Sequence, residues 1–296
     1  MLIPPYLKAG DAVAIVATAR KISREELAPA ITILEGYGLR VLCAPNLFEQ
    51  EHQFAGSDHQ RAIDLQWSVD HPEVKAIICA RGGYGTVRII DHVNLHALKT
   101  NPRWIVGYSD ITVLHSTLLN MGLASIHGTM PINFTKHREA TESLKKALFG
   151  EPIRYSTETQ PLNRQGHAEG IVCGGNLSLL YALAGTPSDI DTTGKILFLE
   201  DLDEYLYHID RMILQLKRSG KLSNLAGLVV GGMSDMKDNT IPFGKTAEEI
   251  VAEAVSEYKY PVCFGFPAGH IDRNLALYMG RKAMLDVTAA HAVLSY

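Results

Sequence analysis

The sequence predicts an α/β protein in which a doubly wound parallel sheet is followed by a smaller, more β-rich α+β domain. In the first part of the chain, short apolar runs alternate with amphipathic helical patterns, as parallel strands joined by crossover helices require. From about Phe134 this alternation stops, and strand-like pieces become more frequent. A length of 296 residues exceeds what one hydrophobic core usually fills, so two domains are expected.

The elements of the first part follow one another in regular order. The run 12–17 is wholly apolar, which is typical of a strand buried on both faces. Ser23 is a favoured N-cap for the helical pattern that stops near Gly36 and Gly38. The same alternation continues with a strand at 39–43, a helix at 58–69, a strand at 74–79, a helix through Val87 and Ile90, and a strand that leads to Ser109.

A change in the hydrophobic pattern along the chain predicts its division into domains. Residues 134–167 contain one helical pattern and then a polar stretch with little periodicity, so we interpret them as a linker between domains at 1–133 and 168–296. The second domain opens with the run 171–176, which a short helix through Leu177 and Leu183 follows. A strand is predicted at 195–200, a helix at 205–218, and short strand-like pieces at 226–230, 261–264, 275–279 and 283–287.

Composition excludes several classes of partner. A net charge of -4 gives no reason to expect nucleic acid or an anionic membrane. No apolar run approaches the roughly 20 residues of a membrane span, and residues 1–5 do not resemble a signal peptide. The four cysteines lie singly in apolar stretches, which predicts buried free thiols and a cytoplasmic location.

Ser109 stands where the sequence pattern predicts that an apolar strand turns sharply into a helix. Such a turn exposes the side chain at its apex, and the N–H of Asp110 would lie in the first helical turn, where amides are unpaired and favour negative charge. This arrangement suits an acyl-transfer nucleophile with half of an oxyanion hole. An ordinary N-cap is the alternative, particularly because Ile111 replaces the last glycine of a G-x-S-x-G elbow.

Other polar residues at the ends of apolar strands would supply the remaining groups needed for serine acyl transfer. Glu200 ends an apolar strand and would orient a base. A carboxylate at the edge of the sheet that simply reaches water would give the same sequence pattern. His270 follows another apolar run and is either the base or a loop histidine. Gly82 and Gly83 form either a tight turn or a close backbone approach that supplies an oxyanion-hole amide.

Three motifs indicate neither a cofactor nor a metal. Gly244-Lys245-Thr246 lacks the first glycine of a Walker A loop, and the glycines of 81–85 lack G-x-G-x-x-G spacing. The acidic residues and histidine of 201–210 match no zinc-helix or calcium-loop spacing. We therefore predict that the protein uses no cofactor and no metal ion.

Short motifs recur in a fixed order over almost the whole chain: 7–11, 81–85, 107–112, His127-Gly128, 174–177, 199–201, 209–212, Gly269-His270 and Asn274. In these segments and their order, the chain resembles the LD-carboxypeptidases, the muramoyltetrapeptide carboxypeptidases of bacterial cell-wall recycling. The resemblance implies a flavodoxin-like N-terminal domain, a β-rich C-terminal domain and a site in the cleft between them.

Carried over to this sequence, the resemblance implies the catalytic roles. Ser109 would be the nucleophile, Glu200 the orienting carboxylate and His270 the general base, with an oxyanion hole from Asp110 and a glycine of Arg81-Gly82-Gly83. The substrate would be murein tetrapeptide, which loses its terminal D-alanine. An exopeptidase must also hold the terminal carboxylate, for which Arg81 and the amides near Asn176 are candidates.

The resemblance leaves alternatives open. A microcin-immunity branch of the same family cleaves acyl-adenylate analogues and would need an aromatic residue between the domains, where 151–170 offers only Tyr155. A non-catalytic peptide-binding protein is the alternative from another class. We also expect a homodimer; the apolar stripe of the helix 205–218 would serve either that contact or the protein's own core.

Overall fold

The computed structural model describes residues 1–296, and its strands follow most of the apolar runs in the sequence. In chain order the strands are β1 (Ala12–Val16), β2 (Arg40–Cys43), β3 (Val74–Cys79), β4 (Trp104–Gly107), β5 (Ser125–His127), β6 (Arg154–Glu158), β7 (Gly166–Asn176), β8 (Ile196–Leu202), β9 (Gly227–Ser234), β10 (Val262–Cys263), β11 (Leu277–Met279), β12 (Lys282–Val287) and β13 (His291–Ser295). The sequence analysis does not predict β5, which has three residues, or β6, in which every residue is exposed or half-buried. It also misses β13, although residues 292–294 are apolar and buried.

Helices fill the connections between the strands. They are α1 (Arg24–Gly36), α2 (Asp58–Asp70), α3 (Thr86–Ile89), α4 (Ala97–Thr100), α5 (Thr112–Asn120), α6 (Arg138–Phe149), α7 (Leu177–Leu183), α8 (Leu206–Arg218) and α9 (Ala247–Ala254). The predicted N-cap Ser23 is confirmed, because its hydroxyl accepts from Glu26 N and the Glu26 carboxylate accepts from Ser23 N. No helix is both long and apolar enough to cross a bilayer.

The first sheet positions one half of the candidate site. Its strand order is β2-β1-β3-β4-β5-β11, and all neighbours are parallel except β5 and β11. The carboxyl ends of β3 and β4 therefore lie side by side. Ligands of parallel sheets bind at this edge, where the loop 81–85 and Ser109 both lie.

The second sheet is mixed and positions the other half. Its order is β10-β9-β8-β7-β12-β13-β6, with a parallel part from β7 to β10 and antiparallel pairs from β7 to β6. The structure is therefore a mixed α/β fold with two sheets, as the sequence predicts. One placement differs: β11 joins the first sheet, although the sequence analysis assigns it to the second part of the chain.

The segment 134–167, predicted as a linker, carries regular structure. It contains α6, β6 and the first residues of β7. Leu144, Ala147 and Leu148 of α6 are buried in the core of the first sheet, and β6 pairs with β13 at the edge of the second. Every residue of β6 is exposed or half-buried, so the strand carries no apolar signal that the sequence analysis could detect.

The apolar stripe of α8 packs inside the protein. Ile209, Met212, Ile213 and Leu216 are buried in a core shared with α7, α9 and β8. Of the two roles considered for this stripe, it therefore serves the intrachain core.

All four cysteines are free thiols, but the prediction that all are buried is wrong for one of them. Cys79, Cys173 and Cys263 are buried, whereas Cys43 is exposed. Cys43 ends β2, which lies at the edge of the first sheet and has no fully buried residue. Edge strands leave side chains at the surface even where the local sequence is apolar.

Candidate active site

Ser109 lies at a strained turn between β4 and α5. Tyr108 is extended, Ser109 has φ +64°, and a single 3-10 turn leads into the helix. A positive φ is uncommon for a residue other than glycine and is concentrated at functional sites. The hydroxyl of Ser109 does not cap the helix, so the N-cap alternative does not explain this serine.

Ile111 replaces the expected glycine because another glycine makes room for it. A Cβ on Gly107 would lie 2.7 Å from Cγ1 of Ile111, which is fully buried. The close approach that allows this turn thus comes from Gly107, two residues before the serine.

The glycine-rich loop after β3 lies against the serine. A Cβ on Gly82 would lie 3.1 Å from the Cβ and 3.3 Å from the Oγ of Ser109, so the backbone of Gly82 runs directly beside the hydroxyl. Gly83 has φ +114° and is crossed by the side chain of Arg20. This close approach, rather than an isolated tight turn, is what the glycines permit.

The carboxylate of Asp110 joins this loop to the nucleophile turn. Asp110 Oδ2 accepts a 2.8 Å hydrogen bond from Thr86 N, at the start of α3. Burial raises the pKa of Asp110, while the hydrogen bonds from Thr86 and the positive charge of Arg61 act in the opposite direction. The two peptide segments that border Ser109 are therefore held together by a buried side chain.

Glu200 and His270 form a buried pair. Glu200 is fully buried, and its Oε2 lies 2.6 Å from Nδ1 of His270 and accepts a second hydrogen bond, at 3.1 Å, from His270 N. The register of β8 with β9 shifts between Leu199 and Asp201, and such bulges re-aim side chains beside active sites. Because Nδ1 is engaged by Glu200, Nε2 is the free nitrogen of His270.

The environment of His270 favours its protonated form. Burial alone would lower its pKa, but the charge of Glu200, the hydrogen bond to it and the charge of Asp201 together raise the pKa above its ordinary value. An imidazole with this partner is suited to take up a proton from a nearby hydroxyl.

Ser109 and His270 line the same pocket, which has a volume of about 210 Å³. No hydrogen bond joins the hydroxyl of Ser109 to the ring of His270, whose side-chain partner is Glu200. Catalytic hydrogen bonds often tighten only in the complex with substrate. The full lining consists of Arg20, Arg81, Gly82, Gly83, Tyr108, Ser109, Met130, Ile132, Asn133, Lys136 and His270. It includes three cationic side chains and no carboxylate.

The predicted ligand-binding residues are only partly in this pocket. Arg81 lines it and donates from Nη1 to the carbonyl of Lys21. Asn176 lies outside it, because its side chain caps α7 and donates to the buried carboxylate of Asp201. The sequence analysis missed Arg20 and Lys136, which lie in segments without any motif that marks them.

A second pocket opens on the other side of His270. It has a volume of about 200 Å³ and shares Tyr108, Asn133 and His270 with the first. Asn133 Nδ2 donates a 3.1 Å hydrogen bond to the hydroxyl of Tyr108, so these two side chains form the wall between the pockets. No group of three or more histidine, cysteine or carboxylate side chains is placed to hold a metal ion.

Two protein-family matches cover most of the chain. Residues 13–128 match the LD-carboxypeptidase N-terminal domain, and residues 169–285 match the LD-carboxypeptidase C-terminal domain. A probable murein peptide carboxypeptidase of Bacillus subtilis (strain 168) is 37% identical over 98% of this chain and 93% of its own length. A murein tetrapeptide carboxypeptidase of Pseudomonas aeruginosa is 29% identical over 93% of this chain and 92% of its own length.

Solved structures show the same fold. A muramoyltetrapeptide carboxypeptidase from Oxalobacter formigenes has a TM-score of 0.88 and 29% identity, with 96% of this chain and 98% of that chain covered. The microcin C7 self-immunity protein MccF has a TM-score of 0.87 at 20% identity, with 100% of this chain and 99% of that chain covered, a likeness that concerns the fold alone.

Proposed function

Because this chain belongs to the LD-carboxypeptidase family of serine peptidases, we propose that it hydrolyses the L,D-peptide bond that holds the terminal D-alanine of murein tetrapeptide. The protein is a serine-type carboxypeptidase and therefore a hydrolase. The names of relatives that are 37% and 29% identical over nearly its whole length support murein peptide as the substrate.

Ser109, His270 and Glu200 carry out the reaction in this proposal. His270 Nε2 takes the proton of Ser109 as Oγ attacks the scissile carbonyl, and Glu200 keeps the other ring nitrogen protonated. The imidazolium then protonates the departing amine of D-alanine. Water, activated by the same imidazole, next cleaves the acyl-serine ester and releases the tripeptide. The 2.6 Å pair of His270 and Glu200, which opens into the pocket of Ser109, is the observation that carries this proposal.

The oxyanion forms beside two backbone segments. The amide of Asp110 begins the helical turn after Ser109, and the peptide of Gly82 runs beside Oγ. The amide of Asp110 and an amide of Gly82 or Gly83 would donate to the oxygen that becomes negative in the tetrahedral intermediate. The buried carboxylate of Asp110 accepts from Thr86 N and so ties the loop that contains Gly82 and Gly83 to the turn of Ser109.

The terminal carboxylate of the substrate binds the cationic side of the pocket. Arg20, Arg81 and Lys136 line it without any acidic neighbour, so a free carboxylate is favoured there over an amide. Asn176 is not assigned to this carboxylate, because its backbone amide donates to Oγ1 of Thr112 and its buried side chain donates to Asp201.

The segment 151–170 offers no free aromatic side chain on which the purine of an acyl-adenylate could stack. Tyr155, the aromatic residue considered for stacking a purine, lies in β6, and its ring packs against Phe266 with its hydroxyl buried. The segment 151–170 thus presents no aromatic face to the cleft. We keep the murein peptide as the proposed substrate.

The flavodoxin-like topology, the domain boundaries, the cytoplasmic location and the homodimer are proposals. The order β2-β1-β3-β4-β5 in the first sheet supports a flavodoxin-like domain at 1–133, followed by 134–167 and a second domain at 168–296. The free thiols support a cytoplasmic location. A homodimer stays a prediction that a sedimentation experiment would test.

The decisive experiment follows D-alanine release from purified murein tetrapeptide. Ser109→Ala should lower kcat by roughly ten-thousand-fold or more while the protein stays folded. Ser116→Ala is the matched control, since it removes a buried hydroxyl of α5 that has no hydrogen-bond partner. Activity retained in Ser109→Ala would reject the mechanism, and a wild-type protein that releases no D-alanine would reject the substrate.

A further inference from the structure

The loop that carries His270 is anchored by a buried asparagine. Asn274 is 3% exposed, and its Oδ1 accepts a 2.8 Å hydrogen bond from Gly269 N, the amide immediately before His270. The same oxygen lies 3.3 Å from Nε2 of His127. One oxygen atom thus joins the His270 loop to a histidine in the other half of the chain.

The donors and acceptors in this contact follow from the backbone. An amide N–H can only donate, so the oxygen of Asn274 must face Gly269. That oxygen can only accept, so His127 must carry its proton on Nε2 and donate it. Burial also holds the pKa of His127 well below its ordinary value, which keeps the ring neutral. Neither Asn274 Nδ2 nor His127 Nδ1 has a partner, so the contact uses only the oxygen of the amide.

His127 is itself fixed to the strand of the nucleophile. It lies opposite Gly107 in the pairing of β5 with β4, and Gly128 N donates 3.1 Å to Gly107 O. Gly107 O also accepts 2.9 Å from Nε2 of His115, a second buried histidine. Ser109 follows Gly107 by only two residues, so a displacement of His127 would also displace the nucleophile.

A second buried link follows at the end of the loop, where Ala276 N donates 2.9 Å to Oγ of Ser143, but it lies six residues after His270. The ion pairs nearer to His270 involve exposed side chains. Arg273 pairs with Glu139, and His137 lies 3.6 Å from Asp272. Exposed ion pairs of this kind are screened by water and contribute little to fixed geometry. Within 267–274, Asn274 therefore provides the buried link.

We propose that Asn274 and His127 are positioning residues whose shared hydrogen bond sets the place of His270 relative to Ser109. This inference rests on the proposed roles of Ser109 and His270. Neither residue reacts with substrate. Together they hold the base, which lies in the loop between β10 of the second sheet and β11 of the first, against the strand that leads to the nucleophile. A displacement of about 1 Å in such a pair costs roughly a hundredfold in rate.

The test compares Asn274→Ala with Asn274→Asp. Asn274→Ala should lower kcat for D-alanine release by about tenfold to a hundredfold with KM unchanged, because the acyl-transfer geometry is lost and the substrate pocket is not. It should slow fluorophosphonate labelling of Ser109 by the same factor. Asn274→Asp should recover most of the rate, because a carboxylate oxygen accepts both hydrogen bonds. Arg273→Ala, in the same loop, is the matched control and should behave as wild type.

The partner histidine gives an independent test. His127→Phe keeps an aromatic ring against Tyr108 and Phe198 but removes the donor, whereas His127→Gln keeps a donor. His127→Phe should lower kcat and the rate of Ser109 labelling by the same factor as Asn274→Ala. His127→Gln should lower both by a smaller factor. The double variant Asn274→Ala/His127→Phe should be no slower than the worse single variant, since both remove one hydrogen bond.

The outcomes separate this inference from the proposed function. Wild-type rates in both Asn274→Ala and His127→Phe, additive losses in the double variant, or no rescue by Asn274→Asp would overturn the positioning role. Failure of both Asn274→Ala and His127→Phe to fold would overturn it as well, because the contact would then be structural. Labelling of Ser109 needs no peptide, so it tests the contact even if the wild-type protein releases no D-alanine.

Discussion

Individual residues of the site bear local energetic costs that their neighbours offset. Ser109 occupies a backbone region that costs about 1–2 kcal/mol for an L-residue. Glu200 is fully buried, and its Oε1 has no hydrogen-bond partner. Its other oxygen compensates by accepting from both the ring and the backbone of His270. Costs of this kind at one place are typical of a site that is selected for reactivity rather than stability.

The pH dependence of the reaction should report the pair of Glu200 and His270. The base must be unprotonated, and its pKa is raised, so kcat/KM should fall as pH drops through a value above the ordinary 6.5 or so of histidine. Glu200→Gln removes the charge that raises this pKa, so the acid limb should move to lower pH. The kcat should fall by roughly a thousandfold to ten-thousandfold, because the tautomer is no longer held.

Glu139→Gln is the control for this measurement, because Glu139 is an exposed carboxylate paired with Arg273. Its pH–rate profile should match that of wild type. An acid limb that stays at the same pH in Glu200→Gln would show that Glu200 does not set the pKa of the catalytic base.

At the scale of elements, the end of β7 depends on two glycines. Gly174 and Gly175 have φ +112° and +139°, and the following amide, Asn176 N, donates 3.0 Å to Oγ1 of Thr112 in α5. A Cβ on Gly174 would lie 2.1 Å from the carbonyl oxygen of Phe198, and one on Gly175 would lie 2.6 Å from Oγ1 of Thr112. Missing side chains therefore let β7 approach both β8 and the helix that follows Ser109.

Gly174→Ala should destabilise the protein strongly. The methyl group would collide with the backbone of β8 in addition to requiring a left-handed conformation, and we expect a loss of about 3–5 kcal/mol in the free energy of unfolding. Gly194→Ala is the matched control, because Gly194 has φ +67° but open space around it. Denaturant titration should show a loss of only about 1–2 kcal/mol there. Equal losses in the two variants would exclude the steric explanation.

At the scale of the molecule, the two halves of the chain are interleaved. The catalytic candidates come from both sheets, and β11 returns from the second half to pair with β5 of the first. Tyr278 of β11 is 2% exposed, its hydroxyl donates to the carbonyl of Ala147, and its ring packs beside Trp104. The first sheet is therefore incomplete without residues from the far end of the chain.

A fragment of residues 1–150 should not fold as the intact protein does. It would expose the edge of β5 and the buried surface that covers Tyr278, which favours aggregation. Circular dichroism and sedimentation should show a loss of cooperative unfolding or a loss of the monomer. Fusing residues 275–281 to this fragment through a flexible linker should restore part of both. A fragment 1–150 that is monomeric and unfolds cooperatively by itself would contradict the inferred role of β11.

Much of the architecture could be predicted because its signals are local. The parallel strands of the first sheet are continuous apolar runs, and α1 carries its own capping box, so their periodicity and termini are visible in the sequence. By contrast, β6 exposes every residue wholly or partly, and β5 is only three residues long. Such strands exist because neighbours pair with them, and β13, which pairs with β6, and β11, which pairs with the open edge of β5, are distant in sequence.

The sequence by itself determined the family and the alternation of β1 to β4 with α1, α2 and α3, and it singled out Ser109, Glu200 and His270 as candidates, because each stands at a break in an apolar pattern. Only the tertiary structure decided that Arg20 and Lys136 face the serine and that Asn176 does not. It alone decided that β11 crosses to the first sheet and that Asn274 meets His127. Periodicity reports which face of an element is buried, whereas contacts between residues of different elements depend on how the chain closes on itself.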